Sequence, residues 1–305
     1  MNAIPPSEAD ARDPAAIFLA DPNSHLGDVL YLYFRDYKRK LIYRFFKKAT
    51  AAADIADDKT LRVADIGASM GYDMKYVLSR LGQEQPEDRR WTRMQVNLLE
   101  GDNHLIGAGN VEWSGFGDAT GVAHRYVKCD ISTALPLSDS SQDIVLCSEV
   151  VEHLEDPGRL LREIHRILRP GGRLILTTDN CPSALQLLKR IPARLAGRYN
   201  RIYARPNKST TVTGEVVVDD AGAPIYGHIN LNPTRYWERL AKRCGLVIVS
   251  FGTYESVRRG GGRKTPGLLA LYFGVGFAVS LLPRRIGRFF GDTTALMLEK
   301  GHSPT

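Results

Sequence analysis

The pattern of apolar and polar positions changes from strand-like to helix-like within residues 61–81, which read LRVADIGASMGYDMKYVLSRL. A short apolar run ends at Ile66, as in a strand that is buried on both faces. Beyond the following glycine turn, apolar residues recur at helical spacing, at Met74, Val77, Leu78 and Leu81. A strand, a glycine turn and a helix in this order are typical of the carboxyl edge of a parallel sheet, where open α/β folds bind their ligands.

Short apolar runs and helical periods alternate along much of the remaining chain. The runs predict further strands over residues 94–100, 123–130, 143–147, 173–178, 246–251 and 294–300. One helix is predicted to begin at Asp156 and Pro157, an N-cap and a first helical residue, and to stop at RPGG, residues 169–172. Another helix is predicted to open at Asn232 and Pro233. Units of strand, helix and strand build a parallel sheet.

The N-terminal part of the chain has a different pattern. Residues 1 to about 22 are polar and rich in proline and alanine, which predicts a loose tail. From Asp28 to about Ala53, apolar residues at helical spacing predict one long amphipathic helix with a basic side. The basic residues placed on its other faces are Arg35, Lys38, Arg39, Lys40, Arg44, Lys47 and Lys48. Two interpretations are open: the helix caps the domain, or its basic side faces a membrane or a nucleic acid.

Composition and charge narrow the class of protein. A chain of 305 residues with 43% hydrophobic and 25% charged content is long enough for one large α/β domain with additions. A net charge of +7 is compatible with an acidic partner and equally with simple solubility. Four separated cysteines without a CxxC pair or a nearby histidine predict reduced packing residues of a cytosolic protein and no metal site. The N-terminal sequence lacks the pattern of a signal peptide, so export is not expected.

The residues of the glycine turn indicate which kind of nucleotide cofactor it can bind. In the dinucleotide fingerprint GxGxxG, Ser69 stands in place of the second glycine and Tyr72 in place of the third, so a pyrophosphate cradle and an NAD-dependent oxidoreductase are poorly supported. Asp65 precedes the first glycine by two residues, and its carboxylate would repel a diphosphate and attract an ammonium. S-adenosylmethionine carries that ammonium and has no phosphate.

The segment DIGASMG resembles the first motif of the class I S-adenosylmethionine-dependent methyltransferases, and the later motifs follow in order. The resemblance implies that Glu100 accepts hydrogen bonds from two ribose hydroxyls, with Asp102 as the near alternative. It also implies that Asp130 takes the adenine amino group and that Ile131 packs against the ring. The other cofactor-binding residues that it implies are Asp65, Gly67, Ala68, Ser69, Gly71 and Ser148.

Residues 135–180 are similar throughout to the branch that includes ubiquinone-biosynthesis enzymes and many small-molecule and glycan methyltransferases. The resemblance implies a Rossmann-like sheet of seven strands in the order 3-2-1-4-5-7-6, with the last strand antiparallel and helices on both faces. The predicted division is a tail and basic helix (1–59), a cofactor-binding core (60–180), a lid (181–228), a continuation of the core (229–256), a hydrophobic and basic insertion (257–290), and the last strand and tail (291–305).

The two insertions are expected to decide the substrate, since connections carry specificity while the sheet holds the cofactor. The first has a basic amphipathic part and a predicted β-hairpin around residues 219–222. The second contains sixteen mostly apolar residues between basic clusters. As a helix they would measure about 24 Å, short of the roughly 30 Å hydrocarbon core, so a spanning helix is not predicted. The segment is either a core helix or a segment that dips into an anionic membrane interface.

Methyl transfer to a hydroxyl group requires that its proton be removed, and a positioned base contributes roughly 10²–10⁴-fold. The candidates are His228, His153, Glu149 and Asp179. Glu152 and His153 match an EH pair that is frequent in the family, where it either orders the start of a helix or supplies the base. His228 is the first choice, because the predicted lid returns to the sheet there.

The predicted protein is therefore a cytoplasmic methyltransferase that uses S-adenosylmethionine and methylates an oxygen of a small-molecule, glycan or lipid-linked acceptor. In the membrane interpretation it lies at the inner face of the membrane. The alternatives are a non-catalytic binding protein on the same fold and a methyltransferase that acts on carbon or nitrogen of a soluble metabolite. A nucleic-acid substrate is not expected, since CSEV stands where a (D/N)PPY-type motif would follow the fourth strand. The oligomeric state is left open.

Overall fold

A computed structural model describes residues 26–84, 90–181, 183, 229–254, 278, 281 and 283–301, with the side chains of the first helix described from residue 36 onward. Several sequence predictions lie outside these residues: the tail, almost all of the lid with its hairpin, His228, and most of the hydrophobic and basic insertion. Across the described ranges, no helix is long and apolar enough to cross a lipid bilayer.

Seven strands form one sheet in the order β3-β2-β1-β4-β5-β7-β6, which confirms the predicted topology. Strands β1 to β5 run parallel, and β7 is antiparallel to both of its neighbours, β5 and β6. The strands are β1 (Thr60–Ile66), β2 (Arg93–Glu100), β3 (Val122–Lys128), β4 (Gln142–Ser148), β5 (Leu168–Asp179), β6 (Leu246–Tyr254) and β7 (Thr293–Lys300).

Helices cover both faces of the sheet. They are α1 (Leu26–Ala52), α2 (Tyr72–Glu84), α3 (Asn103–Glu112), α4 (Phe116–Thr120), α5 (Pro157–Ile167), α6 (Thr234–Arg243) and α7 (Arg284–Phe290), with a 3₁₀ turn at Val151–His153. Side chains alternate across β1: Leu61 and Val63 join the core beneath α1 and α2, whereas Ala64 and Ile66 join the core beneath α5 and α6. A strand that is buried on both faces explains the continuous apolar runs in the sequence.

Helix α1 caps the domain, as one of the two interpretations of its pattern predicted. Its stripe of apolar residues packs against α2 and the sheet, and Ile42 and Phe46 are completely buried. The prediction that the basic residues lie on faces other than the packed one holds for Lys40, Arg44, Lys47 and Lys48, which are exposed. It was wrong for Arg39, which is buried, and for Lys38, which is mostly buried. Both side chains lie against Asp73 of α2.

Two element boundaries differ from the predictions, and two helices were not predicted. Strand β3 ends at Lys128, so Asp130 follows the strand instead of ending it. The RPGG segment was expected to precede β5, but β5 already pairs from Leu168, with an irregular register opposite Gln142 and Ile144. Helices α3 and α4 were not predicted, because glycine has a low helix propensity and α3 contains two glycines.

Candidate cofactor-binding site

The turn between β1 and α2 is held in a left-handed backbone conformation. Gly67, Ser69 and Gly71 have φ angles of 65°, 50° and 72°. A Cβ atom on Gly67 would lie 2.7 Å from Cγ2 of Val150, and one on Gly71 would lie 2.4 Å from Nε1 of Trp113. Positive φ and close neighbours together explain why glycine occupies both positions.

The side chain of Glu100 joins the end of β2 to this turn. Its Oε2 accepts a hydrogen bond from the backbone N–H of Ser69 at 2.8 Å, and the backbone N–H of Ala68 donates to the carbonyl of Leu99 at 2.9 Å. Its Oε1 accepts from the N–H groups of Gly101 and Asp102, at 2.8 and 3.0 Å. A carboxylate has about four acceptor positions, so the three N–H groups fix its orientation and leave capacity for a ligand hydroxyl.

Asp102, the alternative to Glu100, has a structural role. Its Oδ1 accepts hydrogen bonds from the backbone N–H groups of His104 and Leu105, at 2.7 and 3.1 Å, and so caps the N-terminus of α3. An acidic N-cap satisfies two N–H groups that would otherwise lack a partner at the start of the helix. The geometry favours Glu100 as the residue directed at a ligand.

Asp130 and Ile131 lie beyond the end of β3. The Asp130 carboxylate is exposed and accepts hydrogen bonds from the N–H and the hydroxyl of Ser132, at 2.8 and 2.6 Å, which lower its pKa below the usual range. The Cδ1 atom of Ile131 lies 3.6 Å from the position that a Cβ on Gly67 would take. The isoleucine is thus close to the glycine turn, as expected for a residue that packs against a bound ring.

Asp65 lies at the end of β1 and is buried. Burial raises the pKa of its carboxyl group well above the usual range, the charges of Asp73 and Glu100 add to this increase, and the Lys38 ammonium opposes it. A buried acid with negative neighbours favours a cationic ligand, because the ligand's charge would stabilise its ionised form.

A charged cluster that the sequence analysis missed lies beside Asp65. The Lys38 Nζ is 2.8 Å from Oδ2 of Asp73, and the Arg39 Nε is 3.0 Å from Oδ1 of the same carboxylate. Ser148, at the end of β4, donates to Oδ2 of Asp73 at 3.1 Å and lies 3.5 Å from the Lys38 ammonium. Helical spacing could have placed both cations on the buried side of α1, since Lys38 and Arg39 lie four and three positions before the buried Ile42, but it could not have shown that Asp73 is their partner.

Three of the four candidate bases, all but His228, lie where β4 and β5 end or shortly after. Glu149 follows β4 with a φ of 56°, an uncommon angle for a residue other than glycine, and its N–H donates to the carbonyl of Thr177 at 3.0 Å. His153 ends the 3₁₀ turn and is half-buried, and Asp179 ends β5. Both Glu149 and Asp179 add negative charge near Glu152.

Glu152 of the EH pair has no solvent exposure. Its Oε2 accepts a hydrogen bond from the Thr178 hydroxyl at 2.9 Å, and its Oε1 has no hydrogen-bond partner in the described part of the chain. Burial and the neighbouring Glu149 raise the pKa of this carboxyl group well above the usual range. Its main-chain carbonyl accepts from Ile229 and Asn230, both at 2.9 Å, and this brings the chain that follows the predicted lid to the same edge of the sheet.

The residues present fit S-adenosylmethionine better than a dinucleotide. Acidic side chains lie at or just beyond the carboxyl ends of three adjacent strands, at Asp65, Glu100 and Asp130, and suit an ammonium, ribose hydroxyls and an adenine amino group respectively. The segment from 65 to 71 contains no basic residue that would neutralise a diphosphate. The role of each residue stays a prediction.

The sheet order is that of the Rossmann-like methyltransferase fold, as predicted. A sequence model of the family described as "Methyltransferase domain" matches residues 111–176. The fold is similar to that of an S-adenosylmethionine-dependent methyltransferase from Methanosarcina mazei, with a TM-score of 0.51 and 16% identity over 80% of this chain and 93% of that chain. Residues 111–176 thus match a methyltransferase domain, and the comparisons support S-adenosylmethionine as the cofactor.

Curated relatives match over short segments. A "Probable S-adenosylmethionine-dependent methyltransferase" of Mycobacterium tuberculosis (strain H37Rv) is 43% identical over 70 residues, which are 21% of this chain and 26% of the relative. A malonyl-[acyl-carrier protein] O-methyltransferase of Pseudescherichia vulneris is 34% identical over 94 residues, 30% of this chain and 36% of the relative. The chain therefore spans only about a quarter to a third of the length of these relatives.

Proposed function

We propose that this protein binds S-adenosylmethionine and transfers its methyl group to an oxygen atom of a small-molecule, glycan or lipid-linked acceptor. The observation that carries this assignment is the row of carboxyl groups at the carboxyl ends of three adjacent strands, Asp65, Glu100 and Asp130, near a left-handed glycine turn. Such a row supplies hydrogen-bond acceptors and negative charge, which the cofactor's ammonium and hydroxyl donors require.

When bound, S-adenosylmethionine would supply a methyl group on a sulfonium, and the neutral thioether would be the leaving group when the acceptor oxygen takes this methyl group. The chain's own contribution is to hold the two reactants in line and to exclude water. The glycine turn and the Glu100 carboxylate fix one end of the site, and Ile131 provides an apolar wall near the turn.

A base has to accept the acceptor's proton, and Glu149 is the best placed of the described candidates. It follows Ser148, a predicted cofactor residue, and its left-handed backbone is a strained conformation of the kind found at functional sites. His153 is the second choice. His228 remains a prediction, supported by the hydrogen bond from its neighbour Ile229 to the carbonyl of Glu152.

The preference for oxygen is supported by the malonyl-[acyl-carrier protein] O-methyltransferase relative, which methylates an oxygen by its name. A lipid-linked acceptor at the cytoplasmic face of a membrane is supported by an exposed patch near α7. We name it the α7 patch: Leu281, Ile286 and Phe289 are 69%, 45% and 40% exposed, and Arg285 is exposed beside them. Apolar and basic side chains in one surface region favour an anionic interface.

Binding by the purified protein is the first test. Calorimetry with S-adenosylhomocysteine should show binding, and Glu100→Ala should weaken it at least tenfold, because losing a charged hydrogen-bond partner costs about 1.5–3 kcal/mol. Asp102→Ala is the matched control: it removes the cap of α3 and costs about 1 kcal/mol of stability while the affinity is unchanged. Absence of binding by the intact protein would contradict the assignment. A loss of affinity in Asp102→Ala alone would indicate that Asp102, and not Glu100, binds the ribose hydroxyls.

Transfer is tested with methyl-labelled cofactor and a lysate of the source organism, separated into lipid, glycan, protein, nucleic-acid and small-molecule fractions. Label should enter one of the three proposed acceptor classes. Glu149→Gln should lower the rate about a hundredfold while cofactor affinity is kept, because the proton then has no acceptor. Cofactor binding without transfer to any fraction would favour the non-catalytic alternative, and full activity of Glu149→Gln would move the base to His153 or His228.

A further inference from the structure

Helix α1 brings a lysine from outside the sheet to its cofactor-binding edge. The Lys38 side chain is only 18% exposed, and its ammonium lies between Asp73 on α2 and Ser148 at the end of β4. The neighbouring Arg39 is 5% exposed and binds the second oxygen of Asp73. Long, charged side chains are seldom buried without a partner or a ligand.

The amino-acid end of S-adenosylmethionine carries two opposite charges, an ammonium and a carboxylate. The carboxylate of the buried Asp65 is the proposed partner of the ammonium. Residues 65–71 contain no cation for the carboxylate, and the next basic residue, Lys75, donates to the carbonyl and to Oε1 of Glu112, both at 2.6 Å. A cation for the carboxylate therefore has to come from another element, and α1 supplies one next to Asp65 and Ser148.

We propose that the Lys38 ammonium binds the carboxylate of the cofactor, and that the pair of Arg39 with Asp73 holds α1 in place for this contact. The inference rests on the proposed function and names a residue for part of that site. An ammonium has three N–H donors. Asp73 and Ser148 take two of them, and in the described ranges no further acceptor contacts Lys38, so the third N–H serves the ligand.

The surroundings keep Lys38 charged. Burial alone would lower the pKa of its ammonium, but the charges of Asp73 and Glu149 outweigh burial and raise the pKa above its ordinary value. A charged donor forms a short, strong hydrogen bond to a carboxylate, roughly twice as strong as a neutral one. The competing explanation is that Lys38 only joins α1 to α2 through Asp73. In that case, replacing Lys38 would change the affinities for ligands with and without a carboxylate by the same factor.

The test compares a ligand that has the carboxylate with two ligands that lack it. Calorimetry measures the affinity of the wild-type protein and of Lys38→Gln for S-adenosylmethionine, decarboxylated S-adenosylmethionine and 5′-methylthioadenosine. Lys38→Gln should weaken S-adenosylmethionine binding at least tenfold and change the other two affinities less than about twofold. Lys38→Arg should restore most of the preference for the carboxylate. Lys40→Gln is the matched control, since Lys40 lies on the same helix, is 55% exposed, pairs with Asp36, and should leave all affinities unchanged.

Equal losses for all three ligands, or no loss for any, would overturn the role of Lys38. The ratio of affinities is the decisive quantity, because partial unfolding of a variant lowers every apparent affinity by the same factor and leaves the ratio unchanged. Failure of the wild-type protein to bind any of the three ligands would instead contradict the proposed function, so the two failures are distinguishable.

Discussion

At the scale of single residues, the acids around the glycine turn are prepared differently by their surroundings. The carboxylate of Glu100 accepts hydrogen bonds from three backbone N–H groups, which fix its orientation. Asp65 is buried beside other acids, and its pKa is raised. The first is suited to neutral hydroxyl donors, and the second gains its charge most easily when a cation arrives.

This difference predicts a pH dependence of cofactor binding. With a raised pKa, the Asp65 carboxyl group of the free protein keeps its proton to higher pH than usual, and a bound ammonium favours losing it. The affinity for S-adenosylhomocysteine should therefore rise as pH increases through the raised pKa, with release of a proton. Calorimetry from about pH 5 to 8, in two buffers of different ionisation enthalpy, measures both quantities.

Asp65→Asn should bind more weakly and show a flatter pH profile, because no carboxyl group remains to titrate. The same linkage acts on stability with the opposite sign. Since the folded protein holds this proton more tightly than the unfolded chain, the contribution of Asp65 to stability is present at low pH and is lost as pH rises through the raised pKa. An affinity that falls as pH rises would contradict the assignment of Asp65 to the ammonium.

The sequence was sufficient to locate Asp65, Glu100 and Asp130, because each acid ends or closely follows an apolar run and local pattern shows that. It was insufficient for Lys38 and Asp73, which are 35 positions apart and meet only when α1 packs on α2. Local periodicity predicts which face of a helix is buried, but it does not predict which other element packs against that face.

At the scale of elements, α1 and α7 each pair two basic residues with one acidic residue of a neighbouring helix. Helix α1 directs Lys38 and Arg39 inward, against Asp73. Helix α7 packs near α6 and β6, where Arg284 and Arg288 lie 3.1 and 3.5 Å from the carboxylate of Glu238. Two of its three arginines are thus engaged within the protein, and Arg285 stays exposed beside the apolar side chains of the α7 patch.

The α7 patch predicts association with anionic vesicles. The protein should co-sediment with them at low salt and be released as salt rises, because exposed charges are screened. Ile286→Glu should lower the bound fraction by removing apolar contact and adding a repelling charge. Val111→Glu is the matched control, since Val111 is 77% exposed on α3, which packs on β2 and β3 at the opposite edge of the sheet. A wild-type protein that stays in the supernatant would contradict membrane association.

At the scale of the whole molecule, the strands could be predicted from the sequence because each strand is a continuous apolar run between helical periods. Their order came from the resemblance to the class I methyltransferases, and the structure confirms it. The short helices between β2 and β3 were missed for a physical reason: Gly109 lies in α3 because a Cβ there would be 2.1 Å from the hydroxyl of Tyr126. Packing against Tyr126 of β3 therefore requires glycine at position 109, although glycine has a low helix propensity.

The placement of β7 between β5 and β6 has a consequence for biosynthesis. A ribosome makes β5 and β6 long before residues 293–300, so the native neighbour of both strands is the last to appear. Until then the nascent chain presents an unpaired, apolar strand edge at residues 174–176, which is a hazard for aggregation and a task for chaperones. The strands that carry Asp65 and Glu100, and the segment after β3 that carries Asp130, are synthesised before β5, β6 and β7, so the acidic edge of the sheet is made before the sheet is complete.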